Sequence, residues 1–181
     1  MGKVFIHVVM SLDGFISKLD EMDYAWMFKH GGDDELTSRM MSEIGAVVLG
    51  NKGFRDGTMS EDALPYGGMQ VPQFVVTHHA RDPVTLGPLT FTFEADGIAR
   101  TIERAKQAAG DKRVALLGAS INQQWLEAGL VDEIVIHLVP IILGDGIRLF
   151  ERFGKEIDLR NEEVTTTGQV TSMRFSVVPS V

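Results

Sequence analysis

The chain contains no cysteine, only six prolines, and two residues each of tryptophan and tyrosine among its 181 residues. Without cysteine, disulfides and thiolate metal sites are excluded, and a cytoplasmic, reducing setting is expected. Basic residues are also scarce: 17 Lys+Arg stand against 25 Asp+Glu, a net charge of −8. General attraction to nucleic acid is therefore not expected, although a local basic patch still suits a phosphate. Long apolar runs are missing too. The run "VFIHVVM" falls well short of the roughly 20 residues of a membrane-spanning helix, and no small-residue cleavage site follows it. No membrane association is expected, and a myristoylation signal would want Ser or Thr where Ile6 stands. What remains is a chain with 44% hydrophobic content and no repeat, low-complexity tract or shift in composition. One domain over residues 1–181 with a sizeable core is the expectation.

Hydrophobic periodicity orders that core. "KVFIHVV" is rich in β-branched residues and predicts a central strand. A long segment, "SLDGFISKLDEMDYAWMFKHGG", carries Asp-Gly and Gly-Gly breakers and no sustained period. A loop of that length is usually functional or mobile. "DDELTSRMMSEIG" predicts a helix with Leu36, Met40, Met41 and Ile44 on one face and Gly45 as its stop. "AVVLG", "QFVVT", "LTFTF", "RVALL" and "VDEIVIHLV" are strand candidates, and "NKGFRDG" a turn or short helix. "DGIARTIERAKQAAGD" predicts the clearest helix, with Asp96 as N-cap and Gly110 as stop. In "SINQQWLEAG", Ser120 and Gln123 have capping-box spacing. The tail reads as two strands joined near Gly168. Together these predict an α/β fold with a mixed, mostly parallel sheet flanked by helices, and a C-terminal antiparallel hairpin.

Two junctions, "AVVLGNKGF" and "VALLGASINQ", end a buried strand at a glycine and start a helix-like segment. Ligands of open α/β sheets bind beyond the carboxyl ends of strands, where the first helical turn offers unpaired N–H groups to an anion. Small residues at Gly118, Ala119 and Ser120 would let a pyrophosphate approach the backbone closely. Lys52 and Arg55 would supply charge to a second phosphate. Against this, glycines end strands in many proteins, and neither junction is a full G-x-G-x-x-G or Walker A motif.

Taken with "SLDGFIS", "GAVVLGNKGF", "LLGASINQQWLEAGLVDEIVIHLVPIILGDGIRLF" and the closing hairpin, the chain resembles the dihydrofolate reductase-like superfamily. More narrowly, it is similar to the bacterial branch related to the C-terminal reductase domain of the riboflavin-biosynthesis deaminase-reductase. The resemblance implies an NADPH-dependent reductase and a homodimer. It matches Gly118, Ala119, Ser120 and Ile121 to the turn that lines the cofactor pyrophosphate. Gly50, Asn51, Lys52 and Gly53 match the segment at the adenosine end, and Thr77, His78, His79 and Arg81 the contacts to its ribose and phosphate. Ser11 to Phe15 match the loop that closes over nicotinamide and substrate, making Leu12 and Phe15 candidate substrate contacts. Asn51 and Gly53 depart from the Arg and Thr common in dihydrofolate reductases. The riboflavin-pathway relatives carry an Asp-Asn-Pro or Asp-Asp-Pro element for their substrate's phosphate, which "GNKGFRDGTMSEDALPYGG" lacks.

Two acids compete for a catalytic role. The resemblance places Asp34 where a carboxylate pairs with a pterin ring, yet Asp33 and Asp34 also stand where a helix N-cap belongs. Asp13 lies in the loop facing the site, but Asp-Gly is also a common turn pair. Trp26, with Met27 and Phe28, either packs the loop or offers a flat wall to a ring. His78 and His79 are no metal pair, since adjacent strand residues point to opposite faces, and no metal site is expected. His137 has the pattern of a satisfied core histidine, and His7 shares that default or stands on the site wall. The expected function is hydride transfer from NADPH to a pterin-like small heterocycle. The alternatives are a reductase of a 5-amino-6-(5-phosphoribosylamino)uracil type and a non-catalytic nucleotide-binding protein of the same fold.

Overall fold

A computed structural model describes residues 2–18, 24–30, 35–151 and 153–179. The first strand, β1 (Val4–Ser11), is followed by the short β2 (Phe15–Ser17) and by helices α1 (Ala25–Phe28) and α2 (Glu35–Ser42). Then come β3 (Ile44–Gly50), the single helical turn α3 (Lys52–Arg55), β4 (Gln73–Val76), β5 (Val84–Leu86) and β6 (Leu89–Glu94). Helix α4 (Ile98–Ala109) leads into β7 (Arg113–Leu117), and α5 (Ala119–Glu127) into β8 (Glu133–Val139). The chain closes with β9 (Ile147–Arg148) and the hairpin of β10 (Leu159–Thr167) and β11 (Val170–Val177).

Among the described residues the main sheet has nine strands in the order β10-β11-β8-β1-β7-β3-β4-β6-β5. Strands β8, β1, β7, β3, β4 and β6 run parallel, while β11 and β5 join antiparallel at either side. β1 lies well inside, as its apolar run requires. Its residues alternate between two cores: Val4 and Ile6 join Ala46, Val48, Leu116 and Trp125, whereas Phe5 joins Leu36, Met40, Val47 and Phe91. The strand period of two thus divides one run between the two faces. Burying each such side chain contributes about 1.5–3 kcal/mol. Helices α4 and α5 cover the first face; α2 and the segment from Phe54 to Val71 cover the second.

Three local expectations give way to tertiary packing. Gly45 does not stop α2 but sits inside β3, where an added Cβ would meet Lys112 Cβ at 2.6 Å and the Ala109 carbonyl oxygen at 2.8 Å. Gly97, not Asp96, caps α4, because the Asp96 carboxylate pairs with Arg104 Nη2 at 2.9 Å instead. Gly118 caps α5, which places Ser120 inside the first turn and ends the expected capping box. Gln123 donates to the Glu151 carbonyl at 2.5 Å rather than reaching back. Strand β5 and the small β2–β9 sheet have no counterpart in the sequence pattern, being only two or three residues long. No helix among the described residues is long and apolar enough to cross a membrane.

Candidate functional site

Strands β7, β3 and β4 are consecutive neighbours, and their carboxyl ends form one ledge: Leu117 pairs with Leu49, and Gly50 with Val76. The turns that leave these ends therefore lie side by side. The first intrahelical bond of α5 runs from Asn122 N to the Gly118 carbonyl at 2.9 Å, so the Ala119, Ser120 and Ile121 amides precede any helical partner. Gly118 adopts φ +111°, a conformation that side chains disfavour, and nothing lies within 4 Å of where a Cβ would stand. Gly50 lies close to this turn, since an added Cβ would come within 3.1 Å of Ile121 Cγ1.

The neighbouring turns are tied together in the same way. Asn51 Nδ2 donates to Thr77 Oγ1 at 3.2 Å, and the His79 amide donates to the same hydroxyl at 3.2 Å. Asn51 Oδ1 is buried without a partner among the described residues. Gly53, Lys52 and Arg55 belong to α3; Lys52 and Arg55 are exposed, and Arg55 Nε pairs with Asp56 at 3.0 Å. His78 is exposed, and Arg81 lays its guanidinium 4.3 Å from the centre of the Phe93 ring. Among the described residues no group of His, Asp or Glu could hold a metal ion.

These groups would suit a dinucleotide. The open amides beside Gly118 suit a pyrophosphate, and the unpartnered Asn51 oxygen suits a hydroxyl donor such as a ribose. Lys52 and Arg81 supply positive charge at the ledge's far end. The anion preference of a helix N-terminus is worth roughly 0.3–1 kcal/mol at an exposed site, and each charged hydrogen bond adds to it.

The loop after β1 is built around Asp13. Its carboxylate accepts from the Ser11 hydroxyl at 2.6 Å, the Leu143 amide at 3.2 Å and the Gly144 amide at 2.8 Å. The Ser11 hydroxyl in turn accepts from the Phe15 amide at 3.0 Å, and Arg148 Nη1 donates to the Asp13 carbonyl at 2.9 Å. The Ser11 bond, and then the Gly144 and Leu143 amides, hold the Asp13 carboxyl down at about 2, against its ordinary 3.8. Asp13 thus stays ionised and commits its oxygens to fixing the loop. Docking is complete above pH 3.8 and is lost as the pH falls through about 2. Amide exchange at Leu143 and Gly144 should accelerate over that window, and in Asp13→Ala it should be fast at every pH. Protection unchanged by Asp13→Ala would show that the carboxylate does not hold the turn.

The remaining candidates divide by burial. Leu12 is 62% exposed, whereas Phe15 is buried with the Arg148 guanidinium 4.3 Å from its ring centre. Trp26 is buried against Val139 and Val170, its indole N–H without a partner among the described residues. With Lys18, Phe28, Lys29 and Ile142 it lines a cleft of about 630 Å³. Asp34 lies outside the described residues.

A polar cluster beneath α2 has no sequence motif. His7 Nε2 and His137 Nε2 stand 2.8 Å apart, and His137 Nδ1 is 2.7 Å from the Ser172 hydroxyl. His137 is a satisfied core histidine, and one of its partners is His7. The residues are 130 positions apart, so only the parallel pairing of β1 with β8 brings them together.

A family model of the RibD C-terminal domain matches residues 2–173. An uncharacterised protein of Bacillus subtilis strain 168, YwjB, is 25% identical over 174 residues, covering 96% of this chain and 97% of that protein. The fold matches that of a Shewanella sp. PV-4 protein provisionally assigned to riboflavin biosynthesis, with a TM-score of 0.79 and 22% identity over 99% of this chain and 100% of that one. It also matches the diaminohydroxyphosphoribosylaminopyrimidine deaminase/5-amino-6-(5-phosphoribosylamino)uracil reductase of Thermotoga maritima, with a TM-score of 0.66 and 12% identity over 98% of this chain. The chain spans 57% of that longer protein.

Proposed function

The chain belongs to the RibD C-terminal domain family, and from that premise we propose that it is an NADPH-dependent reductase of an aminopyrimidine of the 5-amino-6-(5-phosphoribosylamino)uracil type. Family membership favours this substrate over the pterin that the sequence put first. The observation that carries the reductase reading is the ledge: of three adjacent turns beyond the strand ends, the one opening α5 presents amides without a helical partner, and the other two carry Lys52 and Arg81.

Strands β4, β3, β7 and β1 are successive neighbours, spaced about 4.8 Å apart. A dinucleotide with its adenosine at Thr77 and Arg81 and its pyrophosphate at Gly118–Ile121 would extend toward the end of β1. When bound, NADPH supplies the hydride. The chain's own residues supply position: the α5 amides hold the anion, Asn51 and Thr77 fix the ribose end, and the Asp13-tied loop shields the β1 end from water. Trp26 and Phe28 offer the flat wall a pyrimidine needs, and Lys18 and Lys29 place positive charge in the same cleft for a substrate phosphate.

The pterin reading survives on one observation, the absence of the Asp-Asn-Pro phosphate element after β3. The test is to titrate the protein calorimetrically with NADPH and with NADH, then follow loss of nicotinamide absorbance on adding the aminopyrimidine phosphate or dihydrofolate. Turnover of the aminopyrimidine is expected, with NADPH preferred. Turnover of dihydrofolate alone would reinstate the pterin. Cofactor binding without turnover of either would leave a nucleotide-binding protein, and no binding would remove the reductase altogether.

A further inference from the structure

Tyr66 is the one non-glycine residue with positive φ (+49°) among the described residues, and it sits in a short 3-10 turn between α3 and β4. Aromatic residues resist this conformation, so the surrounding packing imposes it. Its hydroxyl is buried without a hydrogen-bond partner among the described residues. Burial pushes the phenol well above its ordinary range, so it remains a neutral donor. Two unfavourable features thus coincide at one side chain.

The surroundings explain what holds it there. The Tyr66 ring lies nearly parallel to His7, at 11° with centroids 5.8 Å apart, and His7 is fixed by the 2.8 Å contact to His137. His7 is on β1, two residues before Val9, which packs against the cluster of Trp26, Val139 and Val170. The side chains of His7, Val9 and Ser11 follow one another along one face of β1, toward the strand end that carries the Asp13 loop. The segment carrying Tyr66 leaves the ledge at Asn51 and crosses this face through Phe54, Met59 and Leu64.

We propose that the Tyr66 hydroxyl is a substrate-recognition group, held by backbone strain and the His7 ring to donate a hydrogen bond to a carbonyl or ring nitrogen on the polar edge of the heterocycle. This rests on the reductase reading above and adds to it the residue that selects the ring. A buried hydroxyl with nothing to bond in the free protein discriminates strongly for a ligand that satisfies it.

The experiment is Tyr66→Phe, which keeps the ring and removes only the oxygen. Its Tm should equal or exceed that of the wild type, its NADPH Kd should be unchanged, and kcat/KM for the reduced heterocycle should fall at least tenfold. A lower Tm would show that the hydroxyl is already satisfied in the free protein and overturn the assignment. Unchanged kcat/KM in Tyr66→Phe beside an active wild type would overturn this assignment alone. A wild type that turns over neither the aminopyrimidine phosphate nor dihydrofolate would overturn the reductase reading, and this assignment with it.

Discussion

Ser120→Glu is expected to raise the Kd for NADPH by about 100-fold or more, equivalent to roughly 2.7 kcal/mol, with no loss of Tm. Ser120 is exposed at the second position of α5, so the larger side chain meets no packed neighbour. A carboxylate in the first turn of a helix is favourable to the free protein, because it answers the partial positive charge of the unpaired amides. The same carboxylate would compete for those amides and repel an incoming pyrophosphate. Stability and binding therefore move in different directions, which separates this outcome from simple unfolding. Calorimetric titration beside a melting curve reads both. Wild-type affinity in the variant would mean that the anion does not sit on the α5 turn, and the ledge would lose its central contact.

The second large effect lies at the opposite end of the sheet. Glu133, only 1% exposed at the start of β8, is bonded by Arg113 Nη1, by Lys3 Nζ at 2.7 Å and by Arg174 Nη1 at 3.4 Å. Arg113 also reaches Glu43 through Nε at 2.6 Å, and so joins β7, β8 and the residue before β3. Removing Arg113 leaves a buried carboxylate with weaker compensation, and breaking a buried pair in this way typically costs about 3–5 kcal/mol. Lys3 is 55% exposed and reaches Glu133 from solvent, so it offsets part of the loss. Arg113→Met should therefore cost about 2–4 kcal/mol, a fall in Tm on the order of 10 °C. Adding Glu133→Leu should recover most of it, because an apolar pair removes the unpaired charge. NADPH affinity should be unchanged in both variants, since these residues lie at the amino ends of the strands, away from the ledge. A double variant no more stable than Arg113→Met would show that the arginine acts by packing rather than by neutralising Glu133.

Much of this architecture is legible in the sequence. "VFIHVV" and "AVVLG" are apolar on both faces, which only a strand buried on both sides tolerates, and such strands imply parallel pairing. The small residues in "LLGAS" marked the turn that the structure places at the opening of α5. The caps were not legible. Asp96 and Ser120 have the right chemistry for an N-cap, but Arg104 lies within reach of the first, and the chain turns two residues earlier at the second. Asp13 could be read as an acid or as a turn residue. Its bonds to the Leu143 and Gly144 amides, which come from another strand's loop, leave no trace in the local pattern.

The sequence by itself therefore determined the longer elements, their order and the small-residue turn that opens α5, because periodicity and small side chains act over a few residues along the chain. Tertiary structure alone decided which groups meet. His7 and His137 became a pair, and Tyr66 came to lie on His7 with its hydroxyl unanswered, because strand pairing and a strained crossing segment bring distant residues to one face. Those contacts are set by the packing of the whole sheet, and no local pattern encodes them.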